Sequence, residues 1–129
     1  MTRLRGWLLV ALALGGAGSC SSSTGPVAGV LTVALTTPNA GADGAILFSV
    51  TGPQALTHVT AAPELRVFAQ PLATVTRFAV TGTLASGTIL RIEVPDVGKA
   101  SAYTATIQQV ATPTYQLRAL TGYSLRVAP

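Results

Sequence analysis

Residues 88–94 read Thr88-Ile89-Leu90-Arg91-Ile92-Glu93-Val94, and Pro95 follows at once. Successive side chains of a strand point to opposite faces, so Leu90, Ile92 and Val94 share one face while Arg91 and Glu93 share the other. An antiparallel strand with one face packed and one face wet requires that alternation. Proline has no N–H to donate to a ladder, so the strand stops at Pro95. Outward from this stretch the same rhythm recurs. Leu31, Val33 and Leu35 alternate in residues 30–35; Ile46, Phe48 and Val50 alternate in 45–51; Thr76, Phe78 and Val80 alternate in 74–83. Weaker runs cover residues 56–61 and 65–69. Two more cover 103–110 and 115–120, and Tyr123, Leu125 and Val127 make a closing strand.

Gly or Pro punctuates the chain between these runs, and no helical periodicity longer than two turns interrupts them. Short strands at such spacing predict a sandwich or barrel. Eight or nine strands in one sheet would leave an apolar face in water, whereas two packed layers bury it. The fold class expected is therefore all-β: an antiparallel β-sandwich, jelly-roll or cohesin-like or Ig-like, over residues 30–129. No internal repeat and no second domain are visible.

The N-terminus reads MTRLRGWLLVALALGGAGSC. Arg3 and Arg5 form a basic head, Trp7 to Leu14 an apolar run, and Gly15 to Ser19 are small, which is the three-part layout of a secretory signal peptide. A membrane-spanning helix needs roughly 20 apolar residues, and this run is less than half that. Residues 1–19 are thus expected to be a signal peptide with a helical apolar segment. The stretch Ala17-Gly18-Ser19-Cys20 resembles the lipobox of bacterial lipoproteins, with Ala17 where leucine is preferred. That resemblance implies cleavage before Cys20 and a thioether-linked diacylglycerol on its sulfur. Ordinary signal peptidase cleavage after Ser19 is the alternative, since Ala17 and Ser19 are both small. Cys20 is the one cysteine in the chain, so it has no intramolecular disulfide partner and an exported protein must use it otherwise. Residues 20–29, rich in Ser and Gly, read as a flexible tether carrying the lipidated cysteine. Acyl chains gain about 0.8 kcal/mol per buried methylene, and several on one residue anchor a protein to the bilayer. Ser21 beside the cysteine implies, by the family's sorting rule, the outer membrane where a host has one.

The stretches Gly44-Ala45-Ile46-Leu47-Phe48-Ser49-Val50, residues 75–80, Gly82-Thr83-Leu84-Ala85-Ser86-Gly87 and residues 88–94 are similar in layout to cohesin-type sandwiches. The resemblance implies a jelly-roll-like domain used for protein–protein or envelope attachment. It carries no dockerin-like calcium repeat and transfers no contact residue.

Composition narrows the chemistry. The chain has 129 residues, of which 49% are apolar, 9% charged and 5% aromatic. A soluble domain is ordinarily about a quarter charged. One histidine, one cysteine and four acidic residues leave no Cys/His zinc set, no P-loop and no catalytic triad with partners to spare. Beyond residue 19 the cations are Arg66, Arg77, Arg91, Lys99, Arg118 and Arg126, against Asp43, Glu64, Glu93 and Asp96, a net charge of +2. They are scattered singly, so no nucleic-acid stripe forms.

The individual candidates are sparse. His58, in Leu56-Thr57-His58-Val59-Thr60, is read as a solvated or hydrogen-bonded strand residue that shares a face with Leu56. Asn39 and Asp43 offer oxygens in the loop of residues 37–44, but calcium takes six to eight ligands, and Asp43-Gly44 reads as a turn dipeptide. Asp96 in Pro95-Asp96-Val97-Gly98-Lys99 reads as another turn. Glu93 and Asp96 do not flank a common bond as glycosidase carboxylates must. Tyr103, Tyr115 and Tyr123 are the candidate interaction residues, because a tyrosine can anchor an interface or stack on a sugar. Gln108 and Gln109 suggest an exposed edge near the end of the Tyr103 strand. The expectation is a non-enzymatic lipoprotein without cofactor or metal, attached to the lipid bilayer through Cys20. Its sandwich would contact an envelope protein or, alternatively, a polysaccharide.

Overall fold

The computed structural model describes residues 25–129; the expected signal peptide and Cys20 lie outside the described residues. Eight strands form two four-stranded sheets. They are β1 (Gly29–Thr36), β2 (Asp43–Thr51), β3 (Val59–Ala61), β4 (Arg66–Leu72), β5 (Val75–Leu84), β6 (Gly87–Val94), β7 (Thr104–Ala111) and β8 (Ser124–Ala128). A 3-10 helix, Val97–Ala102, joins β6 to β7. The first sheet has the order β3-β6-β1-β8 and the second β4-β5-β2-β7, with every pair antiparallel. The all-β sandwich expected from alternation is the fold observed. Among neighbours in sequence, β4 and β5 alone are hydrogen-bonded to each other; each of the other connections crosses between sheets.

The core lies between the layers and is built from the alternating sets. Leu31, Val33 and Leu35 of β1, Leu90, Ile92 and Val94 of β6, Ile46, Phe48 and Val50 of β2, and Phe78 and Val80 of β5 are all buried. Phe48 and Phe78 are paired across β2 and β5, and their rings stack with centroids 5.2 Å apart and planes 28° apart. Ile89 is buried as well as Leu90, which strict alternation forbids. The ladder accounts for it: Val33 pairs with Leu90 and Ala34 with Thr88, so Ile89 is an extra residue on β6. A bulge of this kind turns an otherwise outward side chain inward. Thr76 is fully buried in this apolar layer, and its hydroxyl accepts the Leu56 N–H at 2.8 Å.

Three local readings of the sequence need correction. Residues 115–120 do not form a strand; they touch β7 through a single bridge, Ala111 to Leu117. Thr112 explains why. Its carbonyl accepts the Tyr115 N–H at 3.0 Å and its hydroxyl the Gln116 N–H at 3.1 Å, closing a turn where a strand would run on. The strand begun at Leu56 is three residues long, and Leu56 instead plugs the core ahead of it while His58 is exposed. Asp43 is not a loop residue: it opens β2 opposite Leu84 and is completely buried.

The two ends of the sandwich differ. At one, Val27 is held before β1 begins: its N–H donates to Asp96 Oδ1 at 3.3 Å, and its carbonyl accepts the Val97 N–H at 2.8 Å. Asp96 also caps the 3-10 helix by accepting the Gly98 N–H at 2.9 Å. The opposite end lies about 24 Å away along the eight residues of β1, at a strand rise of about 3.4 Å per residue. It carries Asp43, the 112–116 turn and the start of β8.

Candidate functional site

The outward side of the sheet β4-β5-β2-β7 carries the most prominent exposed apolar group of the sandwich faces. Cross-strand register sets Phe68, Ala79, Leu47 and Gln109 in one row. Phe68 is 60% exposed and Leu47 40%. Small Ala79 between them leaves a shallow depression of about 330 Å³ whose rim includes Gln70, Arg77 and Gln108. The next row is Gln70, Arg77, Ser49 and Thr106. Ser49 faces outward yet is nearly buried, because the Gln108 side chain donates to its hydroxyl at 3.3 Å. Gln108 reaches it from a second bulge, where Leu47 pairs with Gln109 and Phe48 with Ile107. A third row adds Leu72 and Val75, and Leu72 is also exposed.

Charge on this face is one-sided. Arg66 and Arg77 occupy outward positions on β4 and β5. None of the four carboxylates lies there: Asp43 is in the interior, Glu64 precedes β4, Glu93 faces outward from the other sheet, and Asp96 caps the 3-10 helix.

The three tyrosines have separate fates. Tyr103 is buried and lies directly over Gly52, where any Cβ would collide with its ring; it fills the core and offers no surface. Tyr123 is half-buried and its hydroxyl belongs to a polar clamp around Asp43. The Asp43 carboxylate accepts from Thr37 Oγ1 at 2.7 Å, from Arg118 Nε at 3.0 Å, and from the Tyr123 hydroxyl, which lies 2.9 and 3.0 Å from its two oxygens. Asn39 Nδ2 donates to the Tyr123 hydroxyl at 2.9 Å, and Arg118 Nη2 donates to the Ala42 carbonyl at 3.2 Å. A buried charge must be paired and hydrogen-bonded to persist, and every contact here is a protein donor. The clamp ties the β7–β8 connection to the ends of β1 and β2. It leaves Asp43 no oxygen facing solvent, so the calcium reading of this loop loses its carboxylate. Tyr115 alone is free: it is 92% exposed at the tip of the 112–116 turn.

His58 is exposed and its Nδ1 lies 3.0 Å from the hydroxyl of adjacent Thr57. Among the described residues no three His, Cys, Asp or Glu side chains converge, and no helix is long and apolar enough to cross a membrane. Comparison with protein-family models, with curated proteins and with solved structures finds no match.

Phe68 and Arg77 were not singled out by sequence reasoning. Part of the signal was present: Phe68 falls in a strand, residues 66–72, that puts two large apolar residues, Phe68 and Leu72, on its outward face. Such a strand identifies an edge, and Pro71 near its end is a second mark of one.

Proposed function

We propose that this chain is an exported lipoprotein, anchored through acylated Cys20, whose sandwich is a non-catalytic protein-interaction module at the cell envelope. The observation that supports the interaction reading is the outward face of β4-β5-β2-β7. An aromatic and two aliphatic side chains, Phe68, Leu47 and Leu72, stand exposed together beside Arg66 and Arg77 with no carboxylate among them. Interface centres favour aromatic residues and arginine. A face with two cations and no anions suits a partner segment that is apolar with acidic flanks. The lipid anchor rests on the lipobox-like stretch and on the solitary cysteine. The cohesin-like layout of the sequence agrees with an attachment role. The non-catalytic reading rests on the scarcity of ionisable side chains and on the solvated position of His58.

The test is site-specific photo-cross-linking in the host cell, with the reactive side chain placed at position 68 or, as a control, at position 60 on β3. A discrete adduct from position 68, absent from position 60 and lost with Leu47→Asp, is the expected result. Equal adducts from both positions, or none from 68, refute the proposed face. Cys20→Ser is expected to move the protein from the membrane fraction to the soluble one, and retention in membranes refutes the anchor.

A further inference from the structure

A second concavity lies at the end of the sandwich remote from Val27. It holds about 420 Å³ between Gly44 of β2, Thr81, Gly82 and Thr83 at the end of β5, and the 112–116 turn bearing Tyr115. We infer that this cleft is a carbohydrate-binding site, taking a neutral pyranose unit against the ring of Tyr115.

The argument begins with the tyrosine. Folding normally draws aromatic surface out of water at about 25 cal/mol per Å², yet Tyr115 is left 92% exposed. It is not on a loose tip. Its backbone has φ +67°, uncommon for a side chain of this size, and the turn fixes it there. The Tyr115 N–H donates to the Thr112 carbonyl at 3.0 Å, the Gln116 N–H to the Thr112 hydroxyl at 3.1 Å, and the Thr112 N–H to the Gln116 carbonyl at 2.8 Å. The turn itself is seated on β2, because a Cβ at Gly44 would stand 2.9 Å from the Pro113 backbone. With the backbone beneath the ring fixed in advance, stacking of a ligand orders only the two side-chain torsions.

The rest of the cleft fits the same ligand class. Gly44 and Gly82 contribute backbone alone to its lining. Thr81 and Thr83 line it, and neither hydroxyl makes a hydrogen bond among the described residues. No charged side chain lines the cleft, which argues against phosphate, carboxylate or amine ligands and for a neutral polyol with one apolar face. The volume falls within the ordinary range of small-ligand sites, roughly 300–1,000 Å³. The proposed protein-docking face, centred on Phe68 and Leu47, is a separate surface with its own row of residues, so either reading stands without the other.

The test is an NMR titration of the isotope-labelled, purified chain with cellotetraose, maltotetraose and N-acetylchitotetraose, each to about 20 mM, a range that captures millimolar dissociation constants. The expected result is saturable shifts from at least one sugar at residues 44–45, 81–83 and 111–116. Tyr115→Ala is expected to weaken that binding about tenfold, and Tyr115→Phe to leave it within about twofold, since stacking needs the ring and not the hydroxyl. At an exposed position neither change threatens the fold, and the unperturbed remainder of each spectrum verifies this. Three results overturn the assignment: no saturable shift with any of the sugars, shifts centred on Phe68 and Leu47 instead, or binding that survives Tyr115→Ala unchanged.

Discussion

Removing a single oxygen atom, by Tyr123→Phe, tests the Asp43 clamp most cleanly. The ring stays, so packing against the core is preserved, and the hydroxyl leaves with two hydrogen bonds: one donated to Asp43 and one accepted from Asn39. Asp43 is fully buried, so water does not replace the lost donor cheaply. A hydrogen bond to a charged partner contributes about 1.5–3 kcal/mol, and we expect a loss of about 2 kcal/mol. For a domain near 100 residues that corresponds to a Tm lower by about 10 °C. Asp43→Asn is expected to cost more, about 3 kcal/mol, because an amide has one oxygen for three donors and turns N–H groups toward at least one of them. Arg118→Met is expected to cost about 3 kcal/mol, since it leaves the fully buried Asp43 carboxylate without its counter-charge. Urea denaturation of the three variants, followed by circular dichroism, gives the order directly. The double variant Asp43→Asn/Tyr123→Phe should lose less than the sum of the two. A Tm change under about 2 °C for Tyr123→Phe, or Arg118→Met as the mildest of the three, refutes the view that the buried carboxylate organises this end.

Three further outcomes follow from the geometry. Phe48→Ala removes half of the stacked pair from the centre of the core and is expected to cost about 3–5 kcal/mol, read as a large drop in the urea midpoint; a loss below about 1 kcal/mol contradicts the packing described. Gly82→Ala places a methyl group 2.7 Å from Leu65 Cδ2 and 3.0 Å from the Glu64 carbonyl at φ +131°, and should destabilise by about 2 kcal/mol or more by thermal melting; an unchanged Tm contradicts it. His58→Ala, at an exposed position, should alter stability by less than about 0.5 kcal/mol, and a larger loss would show that the ring holds contacts beyond Thr57.

How much of this was legible beforehand follows from what alternation encodes. It identifies residues that share a face, so the buried sets of β1, β2, β5 and β6 were readable from Leu31, Ile46, Phe78 and Leu90 outward. It does not encode bulges, and Ile89 and Gln108 each break the period by one residue. Nor does it tell a strand from an extended turn, which is why Tyr115 and Leu117 passed for one side of a strand when both are exposed. The Asp43 clamp joins residues 37, 43, 118 and 123, and no local pattern reports a contact over 80 positions. Asp43-Gly44 has the composition of a turn in every respect except its burial. The three tyrosines were read as one group of interaction candidates, and only tertiary packing separates the core filler Tyr103 from the clamped Tyr123 and the exposed Tyr115.

The placement of β1 has a consequence for when this domain can assemble. β1 is flanked by β6 and β8, so its first partner arrives more than fifty residues later, and its second comes from residues 124–128. A chain produced from its N-terminus therefore carries β1 wholly unpaired until residues 87–94 have emerged, and with one edge open until residues 124–128 follow. Closing loops of that length costs entropy before any contact returns it, and such topologies fold slowly. The β4–β5 hairpin is the one pairing between strands adjacent in sequence, and its strand β4 is largely exposed. The sandwich therefore cannot close until residues 124–128 have been made, and a chain handed to the proposed export route before then would not have to be unfolded first.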